Sequence, residues 1–125
     1  MYKVVAAFTV VATVAALDDD RNGLSGQSGA GRFEPVPGPS TDMLIGAARE
    51  LGVTICYGIL ERDADIAYNT QVLVNGEGMI GKQRKIHMPG EEYLYWRAGY
   101  EIEVFNIGKA RVGIAICYDA LFPEM

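Results

Sequence analysis

Two short apolar runs constrain this chain more than anything else in it. They are residues 53–60, VTICYGIL, and residues 112–117, VGIAIC. Each has the length of a strand, and neither alternates apolar with polar residues. A strand of that kind is buried on both faces, so it belongs in a sheet covered on both sides, in an α/β fold. The covering material is scarce. Met43, Leu44, Ala47, Ala48 and Leu51 recur at helical spacing and predict a helix over 41–51. Ser40 or Thr41 can cap it, Asp42 suits its N-terminal dipole, and Gly52 can end it. Pro35, Pro37 and Pro39 make the approach extended and stiff. One helix cannot cover such a sheet, so the chain reads as the middle of a larger fold.

The remaining punctuation places further strands. Residues 66–74 and 79–85 flank Asn75-Gly76, a strong hairpin signal. Residues 101–107 turn at Gly108-Lys109 and pair with 111–117. Near the N-terminus, Lys3 precedes an apolar run over 4–17, closed by Asp18, Asp19 and Asp20. That run is too short to span a membrane as a helix. It fits either a signal peptide over 1–16 with a small-residue exit at Val14-Ala15-Ala16, or a buried first strand or helix. Residues 18–33, rich in Asp, Gly and Ser, read as a linker. With 125 residues, the chain suits one domain, here 33–125, preceded by a segment over 1–32.

Charge and cysteine usage narrow the function. Sixteen acidic against eleven basic residues give a net charge of −5, which argues against a nucleic-acid binder needing a basic stripe. Lys82, Arg84 and Lys85 are the tight basic cluster, too small to reverse that. Two cysteines, Cys56 and Cys117, and one histidine, His87, cannot make a four-ligand zinc site, so no metal or cofactor is expected. A Cys56–Cys117 disulfide is conceivable, but both residues sit in strand-like runs. Reduced thiols in a cytoplasmic chain, with no membrane partner, are the expectation.

Both cysteines stand in an Ile-Cys-Tyr triplet. Cys56 is followed by more apolar strand, Tyr57-Gly58-Ile59-Leu60, and reads as inert core. Cys117 ends its strand and is followed by a turn at Asp119 and Pro123. Two readings of it stand side by side: a small core hydrophobe, or a nucleophile held at a strand end, with the Tyr118 N–H aimed at a developing oxyanion. Lys85 is either an edge charge or an oxyanion stabiliser that lowers a nearby thiol pKa. His87 is either structural or a base. Glu91 and Glu92 either hold an ammonium or form an exposed acidic turn. Tyr93, Tyr95 and Trp96 either line a pocket or pack on the sheet.

Taken in order, GKQRKIHMPGEE followed by VGIAICYDALFPE resembles the nitrilase superfamily, the carbon–nitrogen hydrolases. EPVPGPSTDMLIGAARELGVTICYGILERD and YNTQVLVNGEGMIGKQRKIHMP extend the resemblance over about 33–125. It implies part of an α-β-β-α sandwich and a homo-oligomer. It also implies hydrolysis of an amide, N-carbamoyl or nitrile carbon–nitrogen bond in a small-molecule substrate through a Cys thioester. On that resemblance Cys117 is the nucleophile, Lys85 stabilises the tetrahedral intermediate, and Glu92 is the supporting glutamate. Tyr118 donates its N–H to the oxyanion and His87 supports from behind.

The chain departs from the family pattern at one catalytic position. The family's general-base glutamate lies well upstream of the lysine, and residues 1–33 contain no glutamate. Glu34 sits in the proline-rich approach, and Phe122-Pro123-Glu124 belongs to a different motif. The family's C-terminal half has no counterpart either. These departures predict a truncated chain with impaired turnover. The alternative is a non-catalytic fragment or pseudoenzyme that associates with a homologous subunit. A third reading, a Cys117–His87 hydrolase of another fold, lacks an orienting residue for the histidine.

Overall fold

A computed structural model describes residues 4–9 and 33–125 of the chain. The expected linker over 18–33, apart from Phe33, and the signal-peptide exit at 14–16 lie outside the described residues. The elements run β1 (Val4–Thr9), α1 (Pro39–Leu51), β2 (Ile55–Asp63), β3 (Ile66–Asn75), β4 (Gly78–Arg84), β5 (Val104–Asn106) and β6 (Arg111–Ile116). Two single turns of 3₁₀ helix, Gly90–Leu94 and Cys117–Leu121, follow β4 and β6.

The strands form two three-stranded sheets, ordered β2-β3-β4 and β1-β6-β5. The first is an antiparallel meander. In the second, β6 is central, antiparallel to β5 and parallel to β1, with Val4 opposite Arg111 and Thr9 opposite Ile116. The start of the apolar run at 4–17 is therefore a strand. The sheets meet through Leu73 of β3, Phe105 of β5, and Val112, Ile114 and Ile116 of β6, with Cys56 and Ile80 packed against them. Each such side chain removed from water contributes about 1.5–3 kcal/mol. Glycine lets the layers close: a Cβ on Gly81 would lie 2.3 Å from the Phe105 ring. On the other face of the meander, Ala48 of α1 packs with Tyr57, Val72 and Val74.

Several sequence expectations shift here. The helix starts at Pro39 with Gly38 as its N-cap. Thr41 serves from inside the first turn, its hydroxyl accepting the Gly38 N–H at 3.2 Å and pairing with the Tyr57 hydroxyl at 2.7 Å. Ser40 donates its N–H to Glu34 Oε1 at 2.9 Å, so a carboxylate from the proline-rich approach does the capping. Gly52, with φ of 64°, ends the helix as expected.

The strand buried almost without interruption is β3, the centre of the meander, whereas β2 is its edge and largely half-buried. Apolar composition marked β2 correctly as a strand but could not rank it within the sheet. The expected strand over 101–107 shrinks to three residues, because the Gln83 side chain takes the backbone of the approach. Its amide donates to Glu101 O at 2.6 Å and accepts from Glu103 N at 3.2 Å. No disulfide joins the two cysteines, and Cys56 is half-buried, with its thiol 3.5 Å from Gln71 Oε1.

The outer end of the meander holds a buried ion cluster that sequence reading missed. Glu61, 1% exposed, receives hydrogen bonds from Lys82, from Arg84 at 2.6 and 3.0 Å and from Thr70 at 2.7 Å. Burial alone would raise its pKa. The Arg84, Lys82 and Thr70 donors outweigh burial and hold the carboxyl at about 2. Lys82 and Arg84, two members of the tight basic cluster, are thus ion-paired to a buried carboxylate.

Candidate active site

The site is assembled where β4 and β6 end. Lys85 directly follows β4. Its N–H donates to Asn69 O and its carbonyl accepts from Gly99 N, both at 2.8 Å. The backbone is clamped on both sides, which aims the side chain inward, and the residue is 1% exposed. A buried ammonium needs a partner. Glu92, in the 3₁₀ turn Gly90–Leu94, supplies it with Oε2 2.6 Å from Lys85 Nζ. Of the two glutamates offered by the sequence, Glu92 is the one that reaches the lysine, and Glu91 points to solvent.

Cys117 is the first residue after β6. Its φ is +53°, a left-handed conformation that non-glycine residues seldom adopt, and its side chain is exposed. Strained φ angles at non-glycine residues concentrate at functional sites. Here the chain leaves β6 and enters the Cys117–Leu121 segment. Tyr118 follows within that segment, whose first N–H groups have no partner inside the turn.

One residue connects these two ends. Asp119 is fully buried. Its carboxylate accepts the Ile116 N–H at 3.1 Å, the His87 N–H at 2.7 Å and the Ile86 N–H at 3.2 Å. It also lies 3.0 Å from His87 Nδ1. His87 stacks on Phe122, with ring centroids 3.6 Å apart and planes 7° apart. The structure therefore brings Lys85 and Glu92 into direct contact, and through Asp119 it ties the residue before Cys117 to the two residues after Lys85. It brings no side chain within hydrogen-bond reach of the Cys117 thiol among the described residues.

Asp119 is the residue sequence reading undervalued, taking it only as a turn former. The signal was present, since an acidic residue three positions after the last strand residue can accept that residue's N–H. It also supplies the orienting partner for His87 that the Cys–His reading lacked, although the imidazole is turned to Asp119 and Phe122 rather than to the thiol. The aromatic cluster divides: Tyr93 and Tyr95 are exposed, while Trp96 is half-buried and stacks obliquely with Phe33 at 5.7 Å. A cleft of about 150 Å³ is lined by Lys82, Arg84, Gly99, Tyr100, Glu101 and Glu103. It contains neither the thiol nor the Lys85 ammonium. Among the described residues no group of His, Cys, Asp and Glu is placed to hold a metal, and no helix is long and apolar enough to cross a membrane.

The chain is similar to known proteins over most of its length. The carbon-nitrogen hydrolase family matches residues 13–125. A nitrilase of Pyrococcus abyssi is 42% identical over 88 residues, covering 70% of this chain and 34% of that protein. An omega-amidase of Xenopus laevis is 35% identical over 103 residues, covering 74% of this chain and 37% of that protein. The crystal structure of a CN-hydrolase superfamily protein from Xanthomonas campestris superposes with a TM-score of 0.67 at 26% identity, over 74% of this chain and 36% of that one. The chain thus spans about a third of the length of the curated relatives it matches. On the family match over most of its length, and with the fold to accompany it, the chain belongs to the carbon-nitrogen hydrolase family.

Proposed function

We propose that this chain carries the nucleophile half of a site that hydrolyses a non-peptide carbon–nitrogen bond in a small amide, N-carbamoyl compound or nitrile. The observation that supports this is the buried Lys85–Glu92 pair, tied by one carboxylate to an exposed cysteine at a strained strand end. In the amide case the Cys117 thiolate adds to the carbonyl carbon. The oxyanion so formed is stabilised by the Lys85 ammonium and the Tyr118 N–H. Collapse breaks the carbon–nitrogen bond, and the thiol's proton leaves with the nitrogen as ammonia or an amine. Water then adds to the thioester and returns the free thiol with a carboxylic acid. Glu92 pairs with the Lys85 ammonium and keeps it aimed, and His87 supports the segment that carries it.

The proton relay is the weak step. Residues 1–33 offer no glutamate, and no carboxylate touches the thiol among the described residues. Turnover is therefore expected to be slow even where acylation occurs. The test incubates the chain with short aliphatic amides, N-carbamoyl amino acids and nitriles, following ammonia and the mass of the Cys117 peptide. The expected result is an acyl adduct on Cys117 with slow ammonia release, both lost in Cys117→Ala. No adduct from any class sinks the reading, and fast turnover sinks the claim of impairment.

A second reading, a non-catalytic partner of a homologous subunit, is favoured by exposed large apolar side chains. Leu94 is 77% exposed, Leu121 72% and Tyr93 67%, all in the two 3₁₀ turns beside the site. Sedimentation at rising concentration, alone and with an intact family member, tests it. A monomer in both settings counts against association.

A further inference from the structure

We infer that Asp119 is a positioning residue that sets the placement of the Cys117 thiol relative to the Lys85 ammonium. The inference rests on the functional reading above, in which those two groups act on the same carbon. Its evidence is geometric. Cys117 and Lys85 lie on different strands of different sheets, and each is the first residue beyond its strand. Nothing in either sheet's own ladder fixes one strand end against the other. Asp119 does so with a single buried carboxylate.

One side of that carboxylate takes the N–H of Ile116, the residue before the thiol. The other takes the N–H groups of Ile86 and His87, the two residues after the ammonium. The His87 ring closes the arrangement, held at Nδ1 by Asp119 and across its face by Phe122. A fully buried carboxylate that accepts from three amides and an imidazole is stable only while all of them stay in place. Either strand end that moves leaves buried hydrogen-bonding capacity unmet. The charged groups of the assembly are then Lys85, Glu92, Asp119 and, when protonated, His87.

This makes two opposite expectations for the thiol. As a nearby negative charge, Asp119 disfavours the thiolate, so removing the charge alone shifts thiolate formation to lower pH. As the residue that fixes the Cys117 strand end against the Lys85 strand end, it acts on the thiol through the ammonium that the functional reading sets opposite it. On that reading, removing it loosens the placement and shifts thiolate formation to higher pH. The sign of the shift separates positioning from mere proximity, and from a purely structural role, which moves neither way.

The experiment follows the rate of Cys117 alkylation by iodoacetamide against pH, in a Cys56→Ser background. The chains compared are the parent, Lys85→Met, Asp119→Asn and the double variant, with folding monitored by circular dichroism. Lys85→Met is expected to shift the profile to higher pH and slow alkylation near neutrality about tenfold. Asp119→Asn is expected to shift it in the same direction, and the double variant no further than the larger single shift. A shifted Lys85→Met profile beside an Asp119→Asn profile that is unmoved, or moved to lower pH, overturns the inference and leaves the functional reading standing. An unmoved Lys85→Met profile overturns both.

Where Asp119→Asn fails to fold, amide hydrogen exchange on the unaltered chain decides. Ile86, His87 and Ile116 share one acceptor and are expected to open together, with protection within about threefold of each other. Protection at Ile116 with free exchange at Ile86 and His87 overturns the inference.

Discussion

The ammonium of Lys85 lies 2.6 Å from the carboxylate of Glu92, with the lysine 1% and the glutamate 31% exposed. The asymmetry matters. The lysine has surrendered its water and depends on the glutamate, whereas the glutamate keeps solvent on one side. Breaking the pair from the glutamate side leaves an uncompensated charge in the interior, the costly way to break it. Glu92→Gln is expected to destabilise the fold by about 2 kcal/mol, a figure reduced for the solvent that screens Glu92. Urea unfolding of the two chains measures it. Equal midpoints would mean that Lys85 finds its compensation elsewhere.

The Glu61 cluster gives a pH dependence whose sign is fixed. Its carboxyl is held at about 2, below the ordinary 4.5. A depressed carboxyl contributes stability that is present above the unfolded pKa and lost as pH falls through the folded one. The chain is therefore expected to lose about 3 kcal/mol between about pH 5 and pH 2 from this group alone. Thermal unfolding of the parent and Glu61→Gln across that range is the check. The variant should be less stable at pH 7, and its acid dependence should be flatter. Parallel curves would rule out Glu61 as the source.

Gly81 of β4 lies directly against the Phe105 ring of β5. Gly81→Ala puts a methyl group into the Phe105 ring and is expected to cost about 1–3 kcal/mol. Phe105→Leu in the same chain should recover part of that cost, because the clash is with the ring. A double-mutant cycle by denaturant unfolding reads the coupling. Independent, additive effects would show that the sheets adjust by sliding rather than by clashing.

The two thiols should differ in reactivity despite their matching triplets. Cys117 is exposed, while Cys56 is half-buried, packed against the inter-sheet core and beside Gln71. Alkylation of the folded chain is expected to modify Cys117 at least about tenfold faster. Peptide mapping after a short pulse distinguishes them, and equal labelling would contradict the packing of Cys56.

Much of this was legible in the residues. Period and punctuation located α1 and the hairpin, and the ordered motifs singled out Cys117, Lys85 and Glu92. What escaped was anything set by contacts distant in sequence. Glu34 capping α1 from six residues upstream, and Gln83 replacing ladder partners for 101–103, have no local signature. The Glu61 cluster joins β2 to β4 through ion pairs more than twenty positions apart. Asp119 was visible as a turn former, but its bonds to Ile86 and His87 span more than thirty positions and appear only when β4 and β6 are placed. The same limit hid the rank of β2, since being an edge depends on which strands arrive beside it.

The parallel pairing of β1 with β6 has a consequence for how the chain acquires its shape. The meander β2-β3-β4 closes through short turns and can form as soon as it leaves the ribosome. The sheet behind the thiol cannot. Its central strand, β6, must meet β1 across nearly the whole described chain, a loop whose closure entropy is repaid only once both strands exist. The elbow at Cys117 is therefore expected to form only once β1 and β6 have paired, so that before this pairing the chain presents an ordinary thiol and the strained one comes with it.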